Sequence, residues 1–209
     1  MKRQLEDWDL KGSKRRKKNQ EQIYMALFTV KDDNAIHFFI GKKKMKGYYF
    51  VETNKHGQKY YREVSKGQRL NGAGSYVFPG GKKEKSNEEN EAIREFEEET
   101  GIEIGQISSN NKRQYNGGRY CVLFVYIDNK TFDKYIKKSN DYLKLSMQER
   151  KDKGLYIDDE LELVKDMKID EAYNEFIEHE SDTGWFADAL GSENVKNFLK
   201  EKVEETKKK

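Results

Sequence analysis

Cysteine and histidine are scarce in this chain of 209 residues, which has one Cys and three His, and His37, His56 and His179 lie far apart. The lone thiol, Cys121, forms no intrachain disulfide and no cysteine-rich zinc site, so redox, zinc-finger and zinc-hydrolase chemistry are disfavoured from the start. Long apolar runs are missing too. The longest, over 120–127, falls far short of the roughly 20 residues that span a bilayer. An export signal needs an apolar stretch behind its first positive charges, whereas here more charge follows. The chain is expected to be intracellular, with no membrane partner.

What it has instead is charge, at 38% of residues against 34% hydrophobic, with 12% aromatic side chains to fill a core. That length fits one domain with appendages. Charge is unevenly placed. Up to Lys18, eight basic residues oppose only Glu6, Asp7 and Asp9, a net +5 that leaves −2 for the rest of a chain totalling +3. The head is therefore a basic arm on a body that is not itself a nucleic-acid-binding surface.

Residues 1–20 carry almost no periodic apolar positions and are expected to be a flexible arm. Gln22–Val30 and 35–40 are aromatic and β-branched, with Asp32, Asp33 and Asn34 between them, and predict a β-hairpin. Residues 41–70 fit a further strand pair or a long excursion. A short strand is expected over 75–78, stopped by Pro79, Gly80 and Gly81. Over 86–100 the period is helical, with Ser86 and Glu89 as a capping box and Gly101 as a left-handed cap. A hairpin turning at Asn116, Gly117 and Gly118, polar helices over 132–151, a strand over 161–169 and an amphipathic helix over 195–203 complete the pattern. There is no internal repeat.

Chemistry concentrates between Pro79 and Ile102. Positions three and four apart share a helix face, so Glu95, Glu98 and Glu99 project carboxylates toward nearly one point. Their repulsion needs compensation, by solvent or by a hard cation that prefers oxygen ligands, such as Mg²⁺ or Mn²⁺. Gly80 and Gly81 let backbone approach the same place.

This segment, 80–102, resembles the Nudix box, whose pattern runs Gly, five residues, Glu, seven residues, Arg-Glu, an apolar residue, any residue, Glu-Glu, any residue, Gly, an apolar residue. Arg94, Glu95, Phe96, Glu98, Glu99, Gly101 and Ile102 match its second half completely. The first half is degenerate. Counting back from Arg94 puts Ser86 at the first Glu, while counting forward from Gly81 puts Asn87 there, because the loop is one residue short. Glu84 and Glu88 are candidates for that role.

The resemblance implies an α/β Nudix fold, a mixed β-sheet sandwiched between helices. It covers 21–205, with a helical insertion at about 129–157, the basic arm before it and a Lys-rich tail over 206–209 behind. It implies hydrolysis of a diphosphate linkage in a nucleoside diphosphate derivative, with Mg²⁺ or Mn²⁺ held by Glu95, Glu98, Glu99 and the Gly80 carbonyl. Arg94 would hold the helix face in register. Gly80, Gly81 and Tyr120 become candidate substrate contacts. Aligning VKDMKIDEA with the family's late strand and acidic turn puts Glu160 at the general-base position, with Glu162 second; a plain surface residue is the competing reading for Glu160.

With Pro79 the only proline, the proline-rich signature of NADH pyrophosphatases and the downstream proline of many ADP-ribose pyrophosphatases are absent. Tyr120 stands where many dinucleoside polyphosphate hydrolases have a tyrosine. Trp185 and Phe186 either stack on a nucleobase or anchor the C-terminal segment to the core. The head, with Lys2, Arg3 and then Lys14, Arg15, Arg16, Lys17 and Lys18, resembles a bipartite nuclear localisation signal; an import receptor, RNA and plain solvent are its candidate partners. RNA contact would make an mRNA-decapping enzyme attractive, although no helical regulatory domain is recognisable ahead of the fold. A catalytically silent Nudix-fold binding module is the rival reading, motivated by the missing first Glu.

Overall fold

The computed structural model describes residues 21–84 and 87–208. The basic arm and Ser86, expected as a helix cap, lie outside these residues. The run QIYMALFTV forms β1 (Gln22–Val30), buried on both faces beyond Gln22. Its turn is made as expected. The Asp33 carboxylate accepts from the Ala35 amide at 3.0 Å, Asn34 takes φ 62°, and β2 (Ile36–Lys43) returns antiparallel with Phe28 opposite Phe38.

β1 and β2 stay paired only over 28–30 and 36–38. β8 (Tyr120–Tyr126) runs parallel along one edge of β1, with β7 (Lys112–Asn116) outside it. On the other edge the two strands splay apart. β6 (Gly80–Lys82) pairs with β1 there, β5 (Tyr76–Val77) pairs with β2, and the Pro79 carbonyl accepts from the Met25 amide at 2.9 Å. β9 (Leu161–Lys168) covers the far edge of β2. Residues 76–82 thus fill a gap inside the sheet.

Adjacent side chains on a strand point to opposite faces, which separates two helical layers. Phe39 packs on Phe96 of α1 (Glu88–Thr100), with centroids 5.0 Å apart, and α2 (Asn129–Leu143) joins that side through the Ser139 hydroxyl, which donates to the Thr100 carbonyl at 3.0 Å. Phe38 faces the other way. It meets Phe78, which packs on Phe176 of α4 (Ile169–Glu178) and Phe186 of α5 (Glu180–Gly191), while Phe28 meets Phe198 of α6 (Glu193–Lys207). The expected mixed α/β arrangement, a mixed sheet flanked by helices, is what forms.

Residues 41–70 resolve into a strand pair. β3 (Lys46–Thr53) and β4 (Lys59–Arg69) make a two-stranded ribbon separate from the main sheet. It docks on the connection that follows α3 (Met147–Asp152). The Tyr61 hydroxyl donates to the Leu155 carbonyl and accepts from the Ile157 amide, both at 3.0 Å, and buried Arg150 lies over the Tyr49 ring. Helices α4 and α5 are not foreseen in the sequence analysis, and α6 continues to Lys207, where a tail was expected. Among the described residues no helix is long and apolar enough to cross a membrane.

Both ends of α1 are fixed locally. Asn87 is the N-cap, its side chain accepting from the Asn90 amide, and Gly101 closes the helix at φ 70° with its N–H donated to the Glu97 carbonyl at 2.8 Å. A Cβ on Gly101 would sit 2.4 Å from Ile157 Cδ1 in a backbone region that L-residues avoid. Gly101→Ala is expected to cost about 1–2 kcal/mol in urea unfolding; an unchanged midpoint would contradict this.

Candidate active site

The gap in the sheet sets the site. Because β6 fills it, Gly80 and Gly81 lie directly against α1. A Cβ on Gly80 would meet the Ile23 carbonyl oxygen at 2.2 Å, and one on Gly81 would meet Glu95 Oε2 at 2.3 Å. At Gly80 a side chain would strike the backbone of β1, and at Gly81 it would push the Glu95 carboxylate aside. The Gly80 amide donates to Glu99 Oε2 at 3.3 Å.

Above this floor opens a cleft of about 680 Å³, lined by Arg94, Glu95, Glu98 and Glu99 of α1, by Asp158 and Glu160 ahead of β9, by Trp185, and on its far wall by Phe50, Arg62 and Arg69 of the ribbon. Two cations knit the carboxylates. Arg94 donates to Glu91 at 3.0 Å, Glu95 at 2.5 Å and Glu98 at 2.6 Å. Lys43, 6% exposed, reaches Glu99 at 2.5 Å and also pairs with Glu160. Lys59 stands 3.6 Å from Glu98.

Burial governs the protonation of these groups. It pushes the Glu95 carboxyl up to about 7, against the pull of Arg94 and with help from Glu98 and Glu160. It drives Glu99 well above the usual carboxylate range, opposed by Lys43 and reinforced by Glu160 and Glu95. Asp158 is likewise raised by burial, with the Val51 amide opposing. For Lys43 burial acts downward, but Glu99 and Glu160 outweigh it and hold the ammonium charged.

The structure brings together Arg94, Glu95, Glu98, Glu99, Gly80, Gly81 and Glu160. Tyr120 does not join them. It opens β8, on the opposite edge of β1 from the two glycines, and lies against Trp185 and Tyr115 beside a separate crevice. Glu162 points away toward Lys42, and Glu88 pairs with Lys83, so of the candidates for the first Glu of the box only Glu84 lines the cleft. Phe186 is buried among core rings, while Trp185 stands at the cleft edge. Lys43 and Asp158 went unnoticed in the sequence. The signal for Lys43 was the strand alternation that puts Phe39, Gly41 and Lys43 on one face, the face covered by α1.

No protein-family model matches this chain, and no curated protein matches it. Among solved structures it is similar to a mutT/nudix family protein from Listeria innocua, at 18% identity and TM-score 0.40, over 74% of this chain and 82% of that one. Two further similar structures are of MutT proteins. One is from Methanosarcina mazei Go1, at 17% identity and TM-score 0.24, over 52% of this chain and 61% of that one. Another is a MutT structure from work on Aliivibrio salmonicida and Vibrio cholerae, at 19% identity and TM-score 0.26, over 52% and 64%.

Whether the cleft suits a divalent cation is decided by its donors. The carboxylates that line it include Glu95, Glu98, Glu99, Asp158 and Glu160, with the cationic side chains of Lys43, Lys59 and Arg94 at the oxygens of the α1 carboxylates and Glu160. Carboxylate oxygens are the hard donors that Mg²⁺ or Mn²⁺ prefer, so the residues present fit such an ion in donor type. As the side chains stand, no group of three or more acidic, His or Cys residues among those described is arranged to hold a metal ion. Lys43 and Arg94 bind the oxygens that such an ion would need.

The raised Glu95 has a sign that can be checked without metal. Burial pushes its carboxyl up to about 7 in the folded chain from the ordinary 4.5 of a solvated glutamate, so the unfolded chain releases its proton first as pH rises. Stability is therefore lost between those two values and level above them. Relative to Glu95→Gln, which mimics the protonated acid, the native chain in EDTA should lose up to about 3 kcal/mol from pH 4.5 to 8. Parallel urea midpoints for the two proteins across that range would contradict the burial argument.

Proposed function

We propose that this chain is a Nudix-type hydrolase that uses Mg²⁺ or Mn²⁺ to cleave a diphosphate linkage in a nucleoside diphosphate derivative. One observation carries the reading: carboxylates from a single stretch of α1 come together with Glu160 in a cleft floored by Gly80 and Gly81. Glu95, Glu98 and Glu99 would hold the cation, with the Gly80 carbonyl as a further donor. When bound, the cation neutralises diphosphate charge and makes water a stronger nucleophile toward phosphorus. Arg94 fixes the rotamers of Glu95 and Glu98 through paired hydrogen bonds. Glu160, more exposed than Glu99, would accept the proton of the attacking water at its carboxylate. Arg62 and Arg69 on the ribbon supply positive charge for phosphates, and the Trp185 ring offers a flat apolar face for a base.

A second reading has its own support. The α1 carboxylates at the box positions are already ion-paired, and Asn87, at one of the two counts for the missing Glu, is spent on capping the helix. A silent module that binds a nucleotide or a protein would look the same. Phosphate release, coupled to a phosphatase where needed, separates the two over ADP-ribose, dinucleoside polyphosphates, nucleotide sugars, NTPs and capped RNA with Mg²⁺ or Mn²⁺. Turnover of any substrate supports the hydrolase, and turnover of capped RNA makes it a decapping enzyme. Calorimetric binding without turnover supports the silent module.

A further inference from the structure

The middle residue of the run Lys42, Lys43, Lys44 behaves unlike its neighbours. Lys42 and Lys44 keep about a third of their side chains exposed, whereas Lys43 keeps 7%. Lysine is almost never buried unless paired. The backbone of Lys43 is pinned at both groups, its amide donating to the Ser75 carbonyl at 3.0 Å and its carbonyl accepting from the Gly74 amide at 3.1 Å. With the main chain fixed, the ammonium is delivered by strand alternation onto the face shared with Phe39, under α1. There it takes one oxygen of Glu99 and one of Glu160. Glu99 is only 2% exposed, so without a positive partner its charge would be stranded in the interior.

We propose that Lys43 is an internal counter-cation that competes with a divalent ion for Glu99 and Glu160, and so sets the affinity of the cleft for metal. The inference rests on the hydrolase reading above. Both cations want the same oxygens, and they repel each other at close range. The ammonium holds the two carboxylates together when no metal is present, and it must be displaced or give up an oxygen when one binds. The protein gains an ordered apo site and loses metal affinity.

The test is Mn²⁺ binding to the full chain, by electron paramagnetic resonance or calorimetry, alongside melting temperature with and without the ion. Lys43→Met keeps the length of the side chain and removes its charge. It is expected to bind Mn²⁺ at least about tenfold more tightly than the native chain, to melt lower without metal and to recover more when Mn²⁺ is added. Lys43→Arg, which retains the charge, should bind near the native level. If the native chain binds Mn²⁺ and Lys43→Met binds no tighter, the competition is refuted while the hydrolase reading stands. If Lys43→Met binds and the native chain does not, the lysine has replaced the metal and the hydrolase reading falls instead. Binding by neither removes both. Should Lys43→Met fail to fold, refolding on Mn²⁺ titration supports the competition; without such rescue, Lys43→Gln decides by the same affinity comparison.

Discussion

Glu99→Gln is expected to lower turnover roughly 10²- to 10³-fold, the usual scale for deleting one electrostatic element of an active site. Glutamine preserves the shape of the side chain and still accepts from the Gly80 amide, now 3.3 Å from Glu99 Oε2. What disappears is one negative charge at the point where α1, β6 and Lys43 converge. The helical spacing alone places Glu99 on an exposed face, where its replacement would leave folding almost untouched. The structure changes that expectation, because Glu99 is buried and shares Lys43 with Glu160. Lys43 retains one counter-ion in the variant, so the expected stability loss is about 1–3 kcal/mol. Phosphate-release kinetics and urea unfolding read the two effects separately. Unchanged kinetics in a folded variant would remove Glu99 from the catalytic machinery.

Phe78→Ala should cost about 3–5 kcal/mol. Phe78 is fully buried, and its ring lies 5.4 Å from Phe38, 5.1 Å from Phe176 and 4.9 Å from Phe186 by centroid. Those partners come from the sheet, α4 and α5, so removing the ring opens a cavity where three elements meet. Against a total stability of roughly 5–15 kcal/mol for a domain, this loss alone brings the chain near its unfolding threshold. Pro79 and Gly80 follow directly in the chain, so the cavity also loosens the floor of the cleft. A urea midpoint within about 1 kcal/mol of the native value would show that the ring cluster relaxes around the gap.

The hairpin β1 and β2, the helix α1 with its Gly101 cap, and the hairpin β7 and β8 were legible because each is written in local signals, namely alternation, turn residues and a period of three to four. The α1 carboxylates were legible for the same reason. Lys43 was not, since a Lys-rich run reads as solvated surface and its burial depends on a helix 56 positions further along the chain. Asp158 is drawn in by the Val51 amide of the ribbon, another pairing that no local pattern announces. Helix α4 carried a readable apolar pair, Ala172 and Phe176, hidden behind a strand reading that ran to Ile169. Helix α5 carried less: Gly184, a poor helix former, sits inside it, and the Thr183 hydroxyl donates back to the Phe176 carbonyl to join it to α4. Tyr120 was chosen by its distance along the chain from the box, and the parallel pairing of β8 with β1 carries it away from the glycines.

The two-stranded ribbon has a mechanical consequence. It forms the outer wall of the cleft, yet it is moored through Tyr48 to Asp159, through Val51 to Asp158 and through the Tyr49 carbonyl to the Asp159 amide. Those moorings are the two residues immediately before Glu160. A ligand that tilts the ribbon outward therefore tugs on the backbone that aims Glu160, so that the size of the guest and the bearing of this acid are linked through a single short lever.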